Sequence, residues 1–299
     1  MDANATRTGE SAARIGLLFF LGAMTVFAVQ DGLSKTLALT NHPIFVVMIR
    51  YWAFAAFVLA VSARRPGGIA KAARSRRPWL QILRGLMLVV QICLMTFSFA
   101  QLGLAESHAL MALYPLLIVG MGAVFLGEQV GPWRWAAVAA GFVGVLVILR
   151  PGAGVFDPLA LIPLFCAFLF AAYGVLTRVA GVSDPAAVSF FYTGVAGAVG
   201  ITLVGPFFVA PMAASEWPSM AALCVTGALG HYFLIKAYEF VEASSVQPFA
   251  YFQLVLASAI GVWIFAERLD VWTVVGATIV VAAGLFALAR QRLASQRST

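Results

Sequence analysis

A few ionisable side chains fall inside long apolar stretches of this chain. Asp31 and Lys35 are four residues apart, one helical turn, so they can pair on one face of a helix. Arg50 and His231 stand in two further apolar runs. A charge in hydrocarbon costs about 3 kcal/mol or more, so such groups face a partner or a cavity. The pattern indicates ion pairing, proton binding or substrate binding.

These groups admit different interpretations. Arg50 lies about two turns inside its run and can share the Asp31 carboxylate. We therefore interpret Arg50 and Lys35 as structural members of an ion-pair network that closes the outer end of a helix bundle. Asp31 itself stays open between that role and the binding of a transported proton or a substrate ammonium. His231 is a functional candidate because it falls near the middle of its run.

The composition defines the surroundings of these residues. Hydrophobic residues make up 62% of the chain and charged residues 10%, against about 25% charged in soluble domains. The net charge of +7 is a topology signal, because six of the 19 basic residues fall within 62–79. Cys93, Cys166 and Cys224 lie in apolar runs and suit packing. We expect a polytopic helical membrane protein.

Apolar runs long enough to span a bilayer follow one another along the chain. They predict an all-α integral membrane protein with ten transmembrane helices at about 15–39, 43–62, 79–102, 105–126, 133–149, 157–180, 186–209, 217–241, 243–265 and 271–289. The basic loop 62–79 belongs in the cytoplasm, which places both termini there too. We expect a multi-pass protein of the bacterial cytoplasmic (inner) membrane.

Two phrases in the chain resemble each other. "VFLGEQVGPW" (124–133) and "VWIFAERLDVW" (262–272) place Glu128 against Glu267 at a spacing of 139 (267 − 128). "FAVQDGLSK" (27–35) matches "FAAYGVLTR" (170–178) at a spacing of 143 (170 − 27). Five spans per half is an odd number, so the second half enters the membrane inverted, a mark of secondary transporters.

The two phrases predict a five-helix repeat at 1–150 and a second at 151–299, together one membrane domain. The halves differ at one point, since Pro115 of the fourth run corresponds to Leu254 (254 − 115 = 139). Equal helix flexibility is therefore not expected there.

Two five-helix halves, each ending in the phrase [LF]-[GA]-E-x-[VL]-x-x-W before the last helix, resemble the drug/metabolite transporter superfamily, EamA family. Within it, "AYFQLVLASAIGVWIF" (250–265) and the polar residues of spans one and three are most similar to YddG-type amino-acid exporters. The resemblance implies a basket of ten helices around a central cavity. It also implies export of small metabolites driven by an ion gradient or by the substrate's own gradient.

Polar and aromatic residues inside the spans are the candidates for the cavity. Tyrosine and amide side chains suit a zwitterionic or aromatic solute, because rings bury its side chain while amides and hydroxyls hold ammonium and carboxylate. The same set is compatible with nucleosides, sugars and cationic drugs. The cavity candidates are Gln30, Asp31, Gln91, Tyr114, Tyr173, His231, Gln247, Tyr251 and Gln253; the structural candidates are Lys35, Arg50, Glu128 and Glu267.

The leading function is a secondary transporter that exports small metabolites, above all aromatic or neutral amino acids, by alternating access. A membrane enzyme or lipid-handling protein is the competing class. The sequence holds no G-x-x-x-x-G-K-[ST], H-E-x-x-H or G-x-S-x-G motif. We therefore expect no catalytic residue, metal or cofactor. The expected partners are a small-molecule substrate and membrane lipid, with no nucleic acid, for a protein that acts as a monomer.

Overall fold

The computed structural model describes residues 3–127, 130–150, 157–240 and 247–296, and these residues contain helices and loops but no strand. The helices are α1 (Ala3–Ala38), α2 (Pro43–Ala63), α3 (Gly68–Ala72), α4 (Pro78–Gln101), α5 (Leu104–Met111), α6 (Tyr114–Leu126), α7 (Pro132–Leu149), α8 (Leu161–Gly181), α9 (Ala186–Val204), α10 (Trp217–Phe240), α11 (Tyr251–Phe265) and α12 (Val271–Gln296).

Most of these helices are built for a bilayer. Seven helical segments of the described residues are long and apolar enough to cross it: Arg14–Ala38, Pro43–Ala63, Pro78–Gln101, Leu104–Leu126, Pro132–Leu149, Pro158–Gly181 and Ala186–Phe208. Tyr251–Phe265 and Val271–Ala287 are shorter apolar helices. The expectation of an all-helical, multi-pass membrane protein is confirmed. Four of the seven segments begin at a proline whose missing N–H costs nothing in a first turn.

The bundle has two ends, which α4 connects. Its 24 residues extend about 36 Å at 1.5 Å per residue. The loop before α4 and Asp184 lie at the first turn of α4, and we call this region the "Asp184 end". There, Gln81 donates a hydrogen bond to Asp184. Beyond its last turn, Gly103 touches Glu267, whose carboxylate binds Lys35; this is the "Lys35 end".

Helices from both parts of the chain pack against each other. α1 packs on α10 and α11, α8 packs on α4 and α6, α2 packs on α9 and α10, and α7 packs on α12. The α7–α12 crossing brings the two backbones together at Gly144 and Gly276. A Cβ on Gly144 would lie 2.8 Å from the Gly276 carbonyl oxygen, so only glycine permits this approach.

The fourth apolar run is two helices. α5 ends at Met111, and α6 begins at Tyr114, just before Pro115. The proline lacks the N–H that a continuous helix would use, and this explains the break. The corresponding place in the second half is also irregular, because a 3₁₀ turn, Gln247–Ala250, precedes α11. Both halves therefore depart from regular α-helix at this place, although position 115 is a proline and the corresponding residue of the second half is Leu254.

The last turns of α6 and α11 have the same geometry. Gly127 and Ala266, 139 residues apart, both adopt a left-handed conformation, with φ of 65° and 53°. The N–H of each donates to a glycine carbonyl five residues earlier, Gly122 and Gly261 respectively. Two helices of different sequence therefore end in the same cap.

Candidate functional site

A cavity lies between α2, α4 and α10. Its lining combines one cation, one imidazole and one phenol with apolar and aromatic side chains: Arg50, Tyr51, Phe54, Leu88, Ile92, Gly227 and His231. Arg50 comes seven residues after Pro43, the first residue of α2, so it lies about 10 Å along the helix from the Lys35 end. The cavity is therefore well inside the bundle.

Arg50 has no direct partner in the part of the chain that the structure describes. Its guanidinium makes no hydrogen bond or ion pair with any residue that the structure describes. The Asp31 carboxylate attracts it only at longer range. Arg50 keeps some accessible surface although helices surround it, because it borders the cavity. The expected sharing of Asp31 with Arg50 does not take the form of a contact.

Gln30 of α1 lies close to Arg50. Its side chain is 3% exposed, and its Oε1 has no hydrogen-bond partner among the described residues. Gly227 of α10 separates the two groups: a Cβ built on it would lie 3.4 Å from Gln30 Oε1 and 3.9 Å from Arg50 Nε. The absence of a side chain at position 227 therefore leaves a space between an acceptor and a cation.

His231 closes the cavity one helical turn further along α10. Its Nδ1 lies 2.8 Å from the Gly227 carbonyl oxygen. A carbonyl only accepts, so Nδ1 carries the proton and Nε2 of the neutral ring is an acceptor. Phe27, Phe54 and Phe190 surround the imidazole with ring centroids 5.3, 4.5 and 6.2 Å away. The site therefore offers aromatic surface beside its polar groups.

Asp31 belongs to the Lys35 end instead. Its Oδ2 accepts from Gln253 Nε2 at 2.8 Å and lies 3.0 Å from His108 Nε2. Phe99 stacks on the His108 ring, with centroids 5.3 Å apart. The group thus joins α1, α5 and α11 through one carboxylate. The sequence analysis placed Asp31 and Gln253 in the cavity set, and the structure brings these two together but not beside Arg50.

Lys35 pairs with Glu267, not with Asp31 as the four-residue spacing predicted. The Lys35 ammonium binds Glu267 Oε1 and lies 4.5 Å from the centre of the Phe265 ring. The same carboxylate accepts from the backbone N–H groups of Leu104 at 2.8 Å and Ala105 at 3.1 Å. Glu267 therefore caps the N-terminus of α5, where the helix dipole favours an anion.

The Asp184 end has its own intramembrane arginine, which the sequence analysis missed. Arg84 is 1% exposed. It donates hydrogen bonds to Gln81 Oε1 (3.0 and 3.3 Å), Thr177 Oγ1 (2.8 Å), the Ser189 carbonyl (2.7 Å) and Thr193 Oγ1 (3.2 Å). Its position in the third apolar run was a usable signal, because an ionisable residue inside a span is a functional or structural site by default.

Asp184 supplies an anion that is connected to this arginine through one side chain. Gln81 connects the two, since its Nε2 donates to Asp184 Oδ2 at 2.9 Å while its Oε1 accepts from Arg84. The Asp184 carboxylate also accepts from the Ser75 hydroxyl and the Arg76 N–H. Burial works to raise the pKa of Asp184, but these hydrogen bonds outweigh it and hold the pKa below its ordinary value.

Three other candidates lie around α8. The Arg84 guanidinium sits 4.9 Å from the centre of the Tyr173 ring, and the Tyr173 hydroxyl is 3.4 Å from Thr193 Oγ1. Tyr114 meets Phe170 edge to face, at 4.9 Å between centroids. Gln91 is buried in α4, and its backbone oxygen accepts from Cys166 Sγ at 3.6 Å. Tyr173 therefore belongs with Arg84, not Arg50.

The remaining candidates lie elsewhere. Tyr251 is 8% exposed in the apolar core with Leu110 and Val280, and its hydroxyl points at Gly284 of α12. Gln247 begins the 3₁₀ turn before α11, and its side chain lies outside what the structure describes. Glu128 lies outside the described residues altogether.

The structural features described above are consistent with the family to which the sequence belongs. They are the helical bundle, the polar groups inside its spans and the repeated helix caps. The chain belongs to the EamA-like transporter family of the drug/metabolite transporter superfamily, which matches residues 14–150 and 158–289. A solved crystal structure covers 95% of this chain and 99% of its own with a TM-score of 0.61. At 22% identity, that likeness supports the fold alone.

Named relatives span several substrates. An S-adenosylmethionine uptake transporter of Rickettsia prowazekii is 27% identical and covers 91% of both chains. A riboflavin transporter of Rhizobium johnstonii is 29% identical over 96% of this chain and 95% of its own. A pseudopaline exporter of Pseudomonas aeruginosa is 26% identical over 90% and 94%. The family and these relatives indicate a transporter, not an enzyme.

Proposed function

We propose that this chain is a secondary transporter that moves small organic metabolites across the bacterial cytoplasmic membrane by alternating access, with amino acids as the first substrate class. One observation carries the proposal. A cavity with a cation, an imidazole and aromatic walls lies inside the bundle, between two ends that polar side chains tie together. A purely structural bundle has no need for an interior cation such as Arg50, which makes no hydrogen bond or ion pair with a described residue.

Alternating access also requires two halves that can move against each other. Two inverted five-helix repeats, 1–150 and 151–299, supply them in our proposal, with ten spans in total. The packing pairs agree with such symmetry: exchanging the halves converts α1–α10 into α8–α4 and α1–α11 into α8–α6. The matching caps at Gly127 and Ala266 support the same relation. Transporters of this type place the substrate between the repeats.

The orientation follows from charge. The loop 62–79 carries six basic residues and lies at the Asp184 end. We therefore place the Asp184 end and both termini in the cytoplasm and the Lys35 end outside. The bundle then has a polar seal at each face, with Asp184 and Arg84 inside and Glu267 and Lys35 outside.

Flux in proteoliposomes tests the proposal. Vesicles loaded with a mixture of labelled amino acids, with and without a pH gradient, should release a subset of them faster than protein-free vesicles do. Release that depends on the gradient would indicate proton coupling. Folded protein that moves no amino acid, nucleoside or riboflavin in either direction would contradict a transport role for these metabolites.

Uptake of a larger, nucleoside-bearing metabolite is the second candidate. The observation in its favour is the full-length similarity to S-adenosylmethionine uptake transporters. Labelled S-adenosylmethionine supplied outside vesicles, then inside, separates uptake from export. Faster movement of this compound than of any free amino acid would favour the second candidate.

A further inference from the structure

We infer that His108 and Asp31 form the proton-binding site of the transport cycle, and that a proton on His108 holds the Lys35 end closed. The inference rests on the proposed transport function, because it identifies the side chains on which a pH gradient acts. The sequence analysis left the role of Asp31 open, and the structure adds His108 as its partner.

The hydrogen bonds at Asp31 define where the proton binds. Asp31 Oδ2 accepts from Gln253 Nε2 at 2.8 Å and lies 3.0 Å from His108 Nε2. A carboxylate only accepts, so Nε2 of neutral His108 carries a hydrogen and Nδ1 keeps its lone pair. Nδ1 makes no hydrogen bond to a described residue. A proton therefore adds at Nδ1, which forms one N–H bond and breaks none.

The added proton strengthens the contact between α5 and α1. It converts a neutral donor into an imidazolium beside a carboxylate, and charge-assisted hydrogen bonds are about twice as strong as neutral ones. The side chains of His108 and Asp31 are both 12% exposed, so solvent screens the charges only partly while a proton can still reach the ring. An imidazole changes its charge between about pH 5 and 8, the range in which a pH gradient across a membrane lies.

Other charged groups near the pair leave Asp31 as the main partner of His108. Lys35 and Glu267 neutralise each other one helical turn away along α1. Arg50 of α2 attracts the Asp31 carboxylate at longer range, so Asp31 balances two cations once His108 is charged. The remaining charged or titratable groups that the described elements around α5 present are Glu106, Arg150, Asp157, Cys166, Tyr251 and Asp270. None of these six hydrogen-bonds to the side chain of His108 or Asp31.

The pair lies where it can control closure of the Lys35 end. Glu267 caps the first turn of α5 at Leu104, and His108 follows one turn later (108 − 104 = 4). Gln253 of α11 binds the same Asp31 oxygen, so α5, α1 and α11 are tied together at the outer face of the proposed orientation. When a solute has left to the outside, a proton taken up there closes this end and returns the protein to the inward-facing state. Loss of the proton to the cytoplasm completes the cycle.

The accessibility of a buried residue at the Lys35 end tests the inference without a substrate. Ala105 of α5 is 6% exposed and donates its backbone N–H to Glu267, so Ala105→Cys keeps that hydrogen bond. In proteoliposomes, with the three native cysteines changed to alanine, a membrane-impermeant maleimide added outside reacts with this thiol when the end opens. Gln101→Cys, at an exposed position at the end of α4, corrects for the pH dependence of the thiol reaction.

The labelling rate of Ala105→Cys, divided by that of Gln101→Cys, should fall as the outside becomes acidic. We expect a decrease of about fivefold to tenfold between about pH 8 and about pH 5.5, because an ion pair replaces a neutral hydrogen bond. A ratio that does not change with pH, or that rises in acid, would overturn the inference.

Three variants assign the pH dependence to the pair. His108→Gln and Asp31→Asn should each hold the ratio within about twofold over the same pH range, because the charge-assisted bond no longer forms. His42→Asn removes an exposed histidine that caps α2 at the same end, and it should keep the full decrease because asparagine also caps a helix. A decrease that persists in His108→Gln, or that disappears in His42→Asn, would contradict the assignment. If Asp31→Asn does not fold, the two histidine variants decide.

Flux measurements separate this inference from the proposed function. An acidic outside should accelerate the release of labelled amino acids by the wild type, and His108→Gln should release them at the rate that the wild type shows without a gradient. Equal acceleration in His108→Gln would overturn the inference and keep the transport role. A labelling ratio that depends on pH and on His108, in protein that moves none of the tested metabolites, would support the proton site and count against the transport role.

Discussion

Two arginines inside the bundle have opposite surroundings. Arg84 lies six residues into α4 and Arg50 seven residues into α2, so each is about 10 Å from one end of its helix. Arg84 donates hydrogen bonds to Gln81 of its own helix and to Thr177 and Ser189 of neighbouring helices. Arg50 faces a cavity without a partner among the described residues. Equal depth and equal charge therefore lead to different roles.

The difference shows how the role of a charged residue inside a membrane protein can be inferred from its hydrogen-bond partners. A saturated cation holds helices together, and its removal strands the acceptors that it served. A cation without acceptors contributes little to folding and keeps its donors for a ligand. The partner set, more than the depth or the residue type, separates the two roles.

Loss of Arg84 should have the largest effect on stability. The glutamine of Arg84→Gln is too short to reach Thr177 Oγ1 and the Ser189 carbonyl. Thr177 Oγ1 therefore loses the Arg84 donor, and the Ser189 carbonyl keeps only the hydrogen bond from the Thr193 hydroxyl. We expect the free energy of unfolding to fall by about 3 kcal/mol, measured by denaturant titration in detergent. The control is Arg150→Gln, which removes a half-exposed ion pair with Asp270 worth about 0.5 kcal/mol. Similar losses of unfolding free energy in Arg84→Gln and Arg150→Gln would contradict a special structural role for Arg84.

Glu267→Gln should have the next largest effect. The change leaves Lys35 without a counter-ion and places a neutral amide at the N-terminus of α5. We expect a loss of about 2 kcal/mol in the same measurement. Asp270→Asn is the control, because asparagine also caps a helix and the ion pair with Arg150 is half-exposed. If the free energy of unfolding of Glu267→Gln equals that of the wild type, the Lys35–Glu267 pair does not stabilise the Lys35 end.

Tyr251→Phe should stabilise the protein. The hydroxyl is buried against Gly284 with no hydrogen-bond partner among the described residues, so its removal ends a desolvation cost. We expect a gain of about 1 kcal/mol and unchanged flux. Reduced flux of Tyr251→Phe at normal stability would support the prediction of the sequence analysis that Tyr251 lines the substrate cavity.

Asp184 should make the Asp184 end sensitive to acid. Its folded pKa is depressed, so its stabilising contribution is complete above the unfolded pKa of about 3.9 and is lost as the pH falls through the folded pKa. The melting temperature of the wild type should therefore fall more steeply below about pH 4 than that of Asp184→Asn. If the melting temperatures of the wild type and Asp184→Asn fall equally with pH, Asp184 is not the origin of the acid sensitivity.

Arg50→Gln should have the smallest effect on stability. No hydrogen bond to a described residue is lost, and an interior charge without a described partner is removed, so the free energy of unfolding should change by less than about 0.5 kcal/mol or rise. The same denaturant titration compares it directly with Arg84→Gln. A loss as large as that of Arg84→Gln would mean that Arg50 is a structural residue.

Part of the candidate site followed from residue type and spacing. His231 and Gln30 were identified from polarity inside apolar runs, and both lie at or beside the cavity. The one-turn spacing wrongly predicted the partner of Lys35, because an i, i+4 pair competes with every residue that another helix supplies. Glu267 is 232 residues away in sequence and holds the ammonium. Local spacing carries no information about such contacts.

By itself, the sequence determined the helical membrane class, most span boundaries and the family. These properties depend on hydropathy over about twenty residues and on a phrase repeated at a fixed spacing, and both can be recognised in the sequence without knowledge of tertiary contacts. Only the tertiary structure decided which polar groups satisfy one another. Asp31 met His108 and Gln253 through helices brought together by packing, and Arg50 was left with a cavity. Hydrogen bonding requires side-chain atoms within about 3 Å of each other, and folding alone sets those distances.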